Sequence, residues 1–214
     1  MSYMENERGN AAIFLLWLLG IVAILFIVTI NIVKVYVVKE QANMAVEQAA
    51  LAGTAVLLDK TKEAVKEFDT NPLYLMESEV QLITDGKSVS ALIDDKQSDL
   101  MGAGWEEADA YIEAANEILP EKVQLYVFLK HELRDALIGS AFELSQTVER
   151  VLDNNNARLE DTEYGVSNTD WRVEVKSTVR FESVSDNKYI KRFFEDIPQI
   201  GYGPTLKYLE NVYR

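Results

Sequence analysis

The most constraining feature of this sequence is an apolar run near its N terminus. No charged residue occurs from Gly9 to Val33, and most of these residues are Ile, Leu, Val or Phe. A helix needs about 20 apolar residues to cross the hydrocarbon core of a bilayer. A cleaved secretory signal has a shorter core of about 7–15 residues behind a basic start. The run therefore predicts a retained transmembrane helix over residues 10–33, preceded by a short tail at residues 1–9.

The helical pattern does not end where the apolar run ends. Between residues 10 and 68 the only helix-weakening residues are Gly20 and Gly53, and the first strong break is the segment at residues 69–72, which ends in Pro72. The absence of caps and breakers predicts one continuous helix. Its second part, residues 34–70, is expected to form a stalk outside the membrane.

Small side chains form a stripe along one side of this stalk. At 100° per residue they share one face, and they are Ala42, Ala45, Ala49, Ala52, Gly53 and Val56. Small residues four apart allow two helices to approach closely, so the stripe is a candidate helix-packing seam. Alanine is also the best helix former, so a stiff stalk without a partner is the alternative. The residues alone leave both interpretations open.

The remaining residues, 71–214, are predicted to form an acidic head. The chain carries 35 acidic and 21 basic residues, a net charge of −14, and residues 1–40 contain three of each sign. The excess negative charge thus falls outside the predicted span. It repels phosphate backbones and anionic lipid head groups, which argues against nucleic-acid binding. The chain has no cysteine, which excludes disulfides and thiolate metal sites.

The first half of the head has a mixed pattern. Residues 79–84 and 87–93 flank an Asp-Gly pair and predict a β-hairpin, because Asp-Gly suits a type I′ turn. We expect a loop at 94–104. Apolar residues at helical spacing predict a helix over 105–119, ended by Pro120, and a second helix over 121–154, although 122–129 alone resembles a strand.

The second half begins with a polar loop, expected at 154–168. The strict alternation over 171–181 predicts a strand, with an apolar side made of Trp171, Val173, Val175, Val179 and Phe181. A short helix over 188–194, a turn over 197–204 and a last helical turn or two ending at Arg214 complete the prediction. The predicted fold class is α+β: a single transmembrane helix, a helical stalk, and a small head of helices with a short antiparallel sheet.

Catalytic and metal-binding patterns are incomplete. His131 is the only histidine, so the second ligand of an H-E-x-x-H zinc motif is missing. Residues 86–88 read Gly-Lys-Ser, but Gln81 stands where a Walker A loop has its first glycine. The acidic segment from Asp153 lacks the glycine and the closing glutamate of a calcium loop. We predict no enzyme activity, no metal site and no cofactor.

An ordered set of landmarks between residues 8 and 55 carries a family resemblance. Arg8-Gly9 precedes the span and Asn31, Lys34 and Tyr36 lie at its exit, and these are followed by Asn43, Ala45, Glu47 and the run Ala49-Ala50-Leu51-Ala52-Gly53. This segment resembles the N-terminal module of TadE/TadG-like Flp pilus-assembly proteins. The head resembles no family that we can name.

The resemblance implies a function and a topology. It implies a bacterial, pilin-like structural or assembly component of a Tad pilus or a related secretion machine. The N terminus would be cytoplasmic and the head extracytoplasmic. The N-terminal helix would pack against other pilin-like or Tad assembly proteins, or a second copy of itself, which favours the seam.

The resemblance also implies a processing site, between Gly9 and Asn10. Phe14 stands where a pilin-type precursor carries a glutamate, so we expect the chain mostly to keep its N terminus. The alternative function, from another class, is a single-pass receptor or sensor whose acidic head binds a ligand.

Overall fold

One helix forms nearly a third of the molecule. The computed structural model describes residues 7–155, 157, 161–180 and 196–214. Helix α1 runs from Glu7–Thr70 without interruption over 64 residues, which confirms the continuous helix predicted from the sequence. At 1.5 Å per residue it is about 96 Å long.

Two helices stand where the sequence pattern predicted a hairpin and a loop. A 3-10 turn at Pro72–Tyr74 leads into α2 (Leu75–Asp85) and then α3 (Val89–Gly102). Gly86 has φ 73° and donates its N–H to the carbonyl of Leu82, ending α2, while the Ser88 hydroxyl accepts the N–H of Ala91 at the start of α3. The Asp-Gly pair is therefore a helix–helix turn, and the predicted hairpin at 79–93 and loop at 94–104 are wrong.

The next two predicted helices have different boundaries. Helix α4 spans Glu107–Leu125 and contains Pro120, so the prediction that proline ends it is wrong. Leu119 and Val123 on either side are buried, and this packing offsets the backbone hydrogen bond that proline cannot make.

The predicted helix over 121–154 is divided. Its first residues complete α4, and two further helices follow, α5 (Val127–Gly139) and α6 (Ala141–Asn154). Tyr126 is extended between α4 and α5. The carboxylate of Glu77 on α2 accepts the backbone N–H groups of Val127 and Phe128 at 3.1 and 2.8 Å. This long-range cap fixes a helix start that no local signal marks.

Three antiparallel strands form the sheet, in the order β1–β2–β3. They are β1 (Glu163–Val166), β2 (Val173–Arg180) and β3 (Asp196–Tyr202). The predicted strand at 171–181 is confirmed over β2, whose Val173 and Val175 are fully buried. Phe181 and the predicted helix at 188–194 lie outside the described residues.

Two loop predictions near the sheet are wrong. β1 lies within the expected loop at 154–168, and β3 lies where a turn was expected at 197–204. Pro198 pairs with Thr178 of β2, and an edge strand tolerates a proline because one row of its N–H groups needs no partner. The predicted C-terminal helix is confirmed as α7 (Tyr208–Tyr213). Helices with a small antiparallel sheet confirm the α+β class.

The head packs along the side of α1. Strands β2 and β3 and helices α5 and α6 all contact α1, and α3 touches it near its end. Tyr208 of α7 is fully buried, and its hydroxyl lies 2.9 Å from that of Thr61 on α1. Asn116 of α4 holds the C-terminal segment by donating to the carbonyl of Thr205 and accepting the N–H of Lys207. The chain thus folds back onto its own stalk.

Candidate functional site

The structure buries the small-residue stripe inside the molecule. Ala42, Ala45 and Ala49 are at most 1% exposed. Gly53 and Val56 are also buried, and Ala52 is half-buried at the edge. The residues of the predicted seam therefore do share a face, and that face points toward the head of the same chain.

Gly201 of β3 and Gly203, just after this strand, bring the backbone at the end of the sheet close to this face. A Cβ on Gly201 would lie 2.1 Å from the carbonyl oxygen of Val46. A Cβ on Gly203 would lie 2.2 Å from the hydroxyl of Thr54, which is itself buried and donates to the carbonyl of Ala50. No side chain fits between α1 and the backbone at residues 201 and 203, so glycine is required for this close approach.

The far end of the stripe meets other parts of the head. A Cβ on Gly53 would lie 3.2 Å from Val173 of β2 and 3.3 Å from Val148 of α6. Both valines are fully buried. The stripe thus packs against a sheet and a helix of its own chain, and this intramolecular contact accounts for its small residues.

The opposite side of the stalk carries apolar residues that the head leaves uncovered. Val37, Met44 and Leu51 are 49, 44 and 52% exposed. They are seven residues apart, so at 100° per residue each lies within about 20° of the next. Ala55 continues the line, and Glu40 and Glu47 lie exposed beside it. We call these six residues the outward face.

The outward face continues into the apolar part of α1. Phe26 and Val33 lie on the same side and are 65 and 56% exposed. Among the described residues one helix is long and apolar enough to cross a membrane, and it is α1. The chain is therefore a single-pass membrane protein with its span near the N terminus.

Two polar residues of the apolar part satisfy their own groups. The Thr29 hydroxyl donates a hydrogen bond to the backbone carbonyl of Leu25 at 2.8 Å. The side-chain amide of Asn31 donates one to the backbone carbonyl of Ile27 at 2.9 Å. Such bonds within a helix lower the cost of placing polar groups in lipid. The candidate processing site, Gly9 and Asn10, lies within α1, three residues after the helix begins.

The other sequence motifs have structural roles. Ser88 of the Gly-Lys-Ser segment caps α3, and His131 is an exposed residue of α5. The described part of the chain holds no group of three or more His, Cys, Asp or Glu arranged to bind a metal ion. Asp85, next to that segment, pairs with Lys122 of α4 at 2.5 Å, and this hydrogen bond lowers the pKa of the Asp85 carboxyl.

Comparisons with known proteins place one family on α1. Residues 9–56 match the sequence model of the Tad family, described as Flp pilus-assembly TadE/G-like. The matched segment contains the span, the small-residue stripe and all six residues of the outward face. No curated protein and no solved structure matches the chain. The similarity is thus to a membrane-anchored pilus-assembly module, and it leaves the head outside the match.

Sequence reasoning missed both the cover of the stripe and the outward face. The signal for the cover was present as Gly201 and Gly203, two glycines with one residue between them, which is the spacing of residues on one side of an extended segment. Glycine inside a strand often marks close approach of another backbone. The outward face was visible as the seven-residue spacing of Val37, Met44 and Leu51, which the alanine stripe obscured.

Proposed function

We propose that this protein is a membrane-anchored, pilin-like component of a Tad-type pilus or a related secretion machine. In this proposal it associates with other subunits through the outward face of α1. The carrying observation is that this face is the exposed apolar side of the segment that resembles the Tad family. The alanine stripe, expected to be the seam, is already packed against the head, so the contact with other subunits moves to the opposite side.

The outward face has the chemistry of a helix-packing surface. Apolar residues every seven positions form one side of a supercoiled helix pair, because the 3.5-residue period keeps them facing the partner. Glu40 and Glu47 flank Met44 on the same side. Carboxylates beside an apolar seam select partners with basic residues opposite them. We therefore assign this face to a helix of another pilus-machine protein that carries lysine or arginine beside its apolar residues.

Orientation follows from the same proposal. The residues before the span are cytoplasmic, and the head lies outside the cytoplasm, where a pilus is built. Protease added to intact protoplasts should degrade the head. The same protease added to inside-out membrane vesicles should leave the head intact. Protection of the head in intact protoplasts would contradict both the orientation and the pilus role.

The association is tested by crosslinking in native membranes. A photoreactive residue replaces Met44, and the control replaces Phe142, an exposed apolar residue of α6 that is 72% exposed. We expect adducts with Tad-type pilins or assembly proteins from position 44 and none from position 142. Adducts only with a second copy of the chain, or the same adducts from both positions, would contradict the proposed partner.

A charge substitution on the outward face tests whether the complex is lost. Met44→Glu should leave the fold intact because the side chain is exposed, and should lower the amount of complex by about tenfold, the equivalent of about 1.4 kcal/mol. Phe142→Glu is the matched control, since it places the same charge on an exposed apolar site of the head. Equal complex from both variants would show that the outward face is not the contact.

The receptor or sensor alternative requires a ligand site in the head. One observation favours such a site: a groove lies between α1, α3 and α4. A receptor would contact a signalling partner instead of pilus-machine proteins, and the identities of the position-44 adducts separate the two functions.

A further inference from the structure

A groove of about 520 Å³ opens between the distal part of α1 and helices α3 and α4. Its volume lies in the range of small-molecule sites, about 300–1,000 Å³. Val65 and Ile93 supply its apolar lining, and the remaining lining side chains are polar or charged. The groove is on the head side of the stalk, far along α1 from the apolar span.

A largely buried tyrosine lines the groove. Tyr111 of α4 is only 4% exposed and lines the groove. Its hydroxyl forms no hydrogen bond with any part of the chain that the structure describes. Since the hydroxyl is not fully enclosed, it can be reached from the groove. A ligand in the groove can therefore accept a hydrogen bond from this hydroxyl. Burial also raises the pKa of Tyr111, so the hydroxyl stays a donor at neutral pH.

One wall of the groove carries positive charge. Lys62 and Lys66 are one turn apart on α1, and neither forms an ion pair with a carboxylate of the described residues. The Lys62 ammonium lies 4.3 Å from the centre of the Tyr111 ring, a cation–π contact that holds it over the floor. This wall can therefore bind a carboxylate of a ligand.

The other wall carries negative charge. Asp94 of α3 and Glu107 of α4 line the groove, and their carboxylates form no hydrogen bond or ion pair with the described residues. A third acid, Asp69, is already used, since its carboxylate accepts the backbone N–H groups of Val89 and Ser90 at 3.1 and 2.8 Å. Two carboxylates and two ammonium groups thus line the same cavity without forming ion pairs among the described residues.

We propose that this groove binds a small zwitterion with a free amino group at one end and a free carboxylate at the other, of the size of a dipeptide. A ligand that is only anionic would meet Asp94 and Glu107, and one that is only cationic would meet the two lysines. A zwitterion pairs with both walls, and its carbonyl oxygen can accept the Tyr111 hydroxyl. The inference concerns the groove between the stalk and the head and does not rest on the proposed function.

The test uses the full chain in lipid nanodiscs and isothermal titration calorimetry. The probes are alanyl-alanine with free ends, its N-acetyl form, which lacks the positive end, and its C-terminal amide, which lacks the negative end. We expect saturable binding of the free dipeptide, at least about tenfold tighter than that of either blocked form. Absence of saturable binding, or equal affinity for the three probes, would overturn the proposal.

Substitutions then assign the walls. Asp94→Asn should weaken binding of the free dipeptide and reduce the ratio of its affinity to that of the N-acetyl form. Lys62→Gln should reduce the ratio of its affinity to that of the C-terminal amide. Tyr111→Phe keeps the ring and removes the hydroxyl, and should weaken binding about fivefold. Lys176→Gln, an exposed site on β2 outside the groove, is the control. Unchanged affinities in all three groove variants would place the binding elsewhere and overturn the assignment.

Discussion

The two halves of α1 are continuous in backbone and opposite in surroundings. In the span, large apolar side chains are exposed on all sides, as with Leu16, Trp17 and Phe26 at 69, 71 and 65%. In the stalk, the apolar side chains that face the head are buried, as with Val46 and Leu57 at 1 and 2%. Lipid solvates every face of the span, whereas only one face of the stalk receives a cover from the protein.

This difference teaches what the helix itself specifies. The span needs only length and hydrophobicity, so any rotation about its axis satisfies lipid equally. The stalk needs a particular face to meet β3, and the close approach of Gly201 to Val46 sets that rotation. Because the two halves are one helix, the head that fixes the rotation of the stalk also fixes which side of the span is presented to a neighbour.

The largest predicted effect comes from filling the contact between stalk and sheet. Gly201→Ala places a methyl group against the backbone of α1, so β3 must move away. We expect the free energy of unfolding of the head to fall by about 3 kcal/mol, since overpacking typically costs about 1–3 kcal/mol and backbone cannot yield as a side chain does. Thermal denaturation in detergent measures it.

Gly165→Ala is the control for this change, because nothing lies within 4 Å of a Cβ on this glycine of the same sheet. Membrane extraction of both variants should match the wild type, since the span is untouched. If Gly201→Ala and Gly165→Ala melt alike, the stalk and the sheet are not in backbone contact, and the comparison between the two halves of α1 loses its basis.

The second effect distinguishes the two faces of the stalk. Ala49→Leu adds three carbon atoms to a fully buried position, whereas Ala55→Leu makes the same change on the exposed outward face. We expect Ala49→Leu to destabilise the head by about 2 kcal/mol and Ala55→Leu to change its stability by less than about 0.5 kcal/mol. If the stripe were instead open to another subunit, both variants would be as stable as the wild type. Denaturation of the purified chain measures this.

The third effect is smaller and tests the C-terminal end of the contact. Tyr208→Phe removes the hydroxyl that meets Thr61 of α1, while Thr61 keeps its bond to the carbonyl of Leu57. One buried hydrogen bond contributes about 1 kcal/mol. Chemical denaturation should show that loss, and Tyr202→Phe on the half-exposed end of β3 should show none. A loss of the same size in both variants would mean that α7 is not anchored through Thr61.

How much of this fold the sequence could predict depends on how local the cause is. Helix α1 follows from its lack of helix breakers and strand β2 from its alternating pattern, and both were predicted. The start of α5 depends on Glu77, which lies 50 residues earlier in the chain, and the two helices around Gly86 have too short a pattern to be told from strands. The stripe of the candidate site was found from spacing, but its cover comes from Gly201, about 150 residues away in sequence, which no local pattern specifies.

The smallest predicted effect lies at the distal end of the head, away from both halves of the comparison. The Asp85 carboxyl has its pKa lowered by the hydrogen bond from Lys122, so the ion pair contributes stability above the ordinary carboxyl pKa of about 3.9. That contribution is lost as the pH falls through the lower pKa of the folded state. Asp85→Asn should therefore lower the free energy of unfolding by about 1 kcal/mol or less at pH 7. This difference from the wild type should disappear toward pH 2.

Denaturant titrations at both pH values measure the difference in the free energy of unfolding, with Asp99→Asn on the exposed side of α3 as control. A difference in stability that is the same at both pH values would mean that Asp85 acts through its shape and not through its charge.

The ion pair belongs neither to the span nor to the contact between α1 and β3. The packing of Gly201 against Val46 should therefore persist through the titration. A loss of that packing on acidification would show that the distal helices also support the stalk.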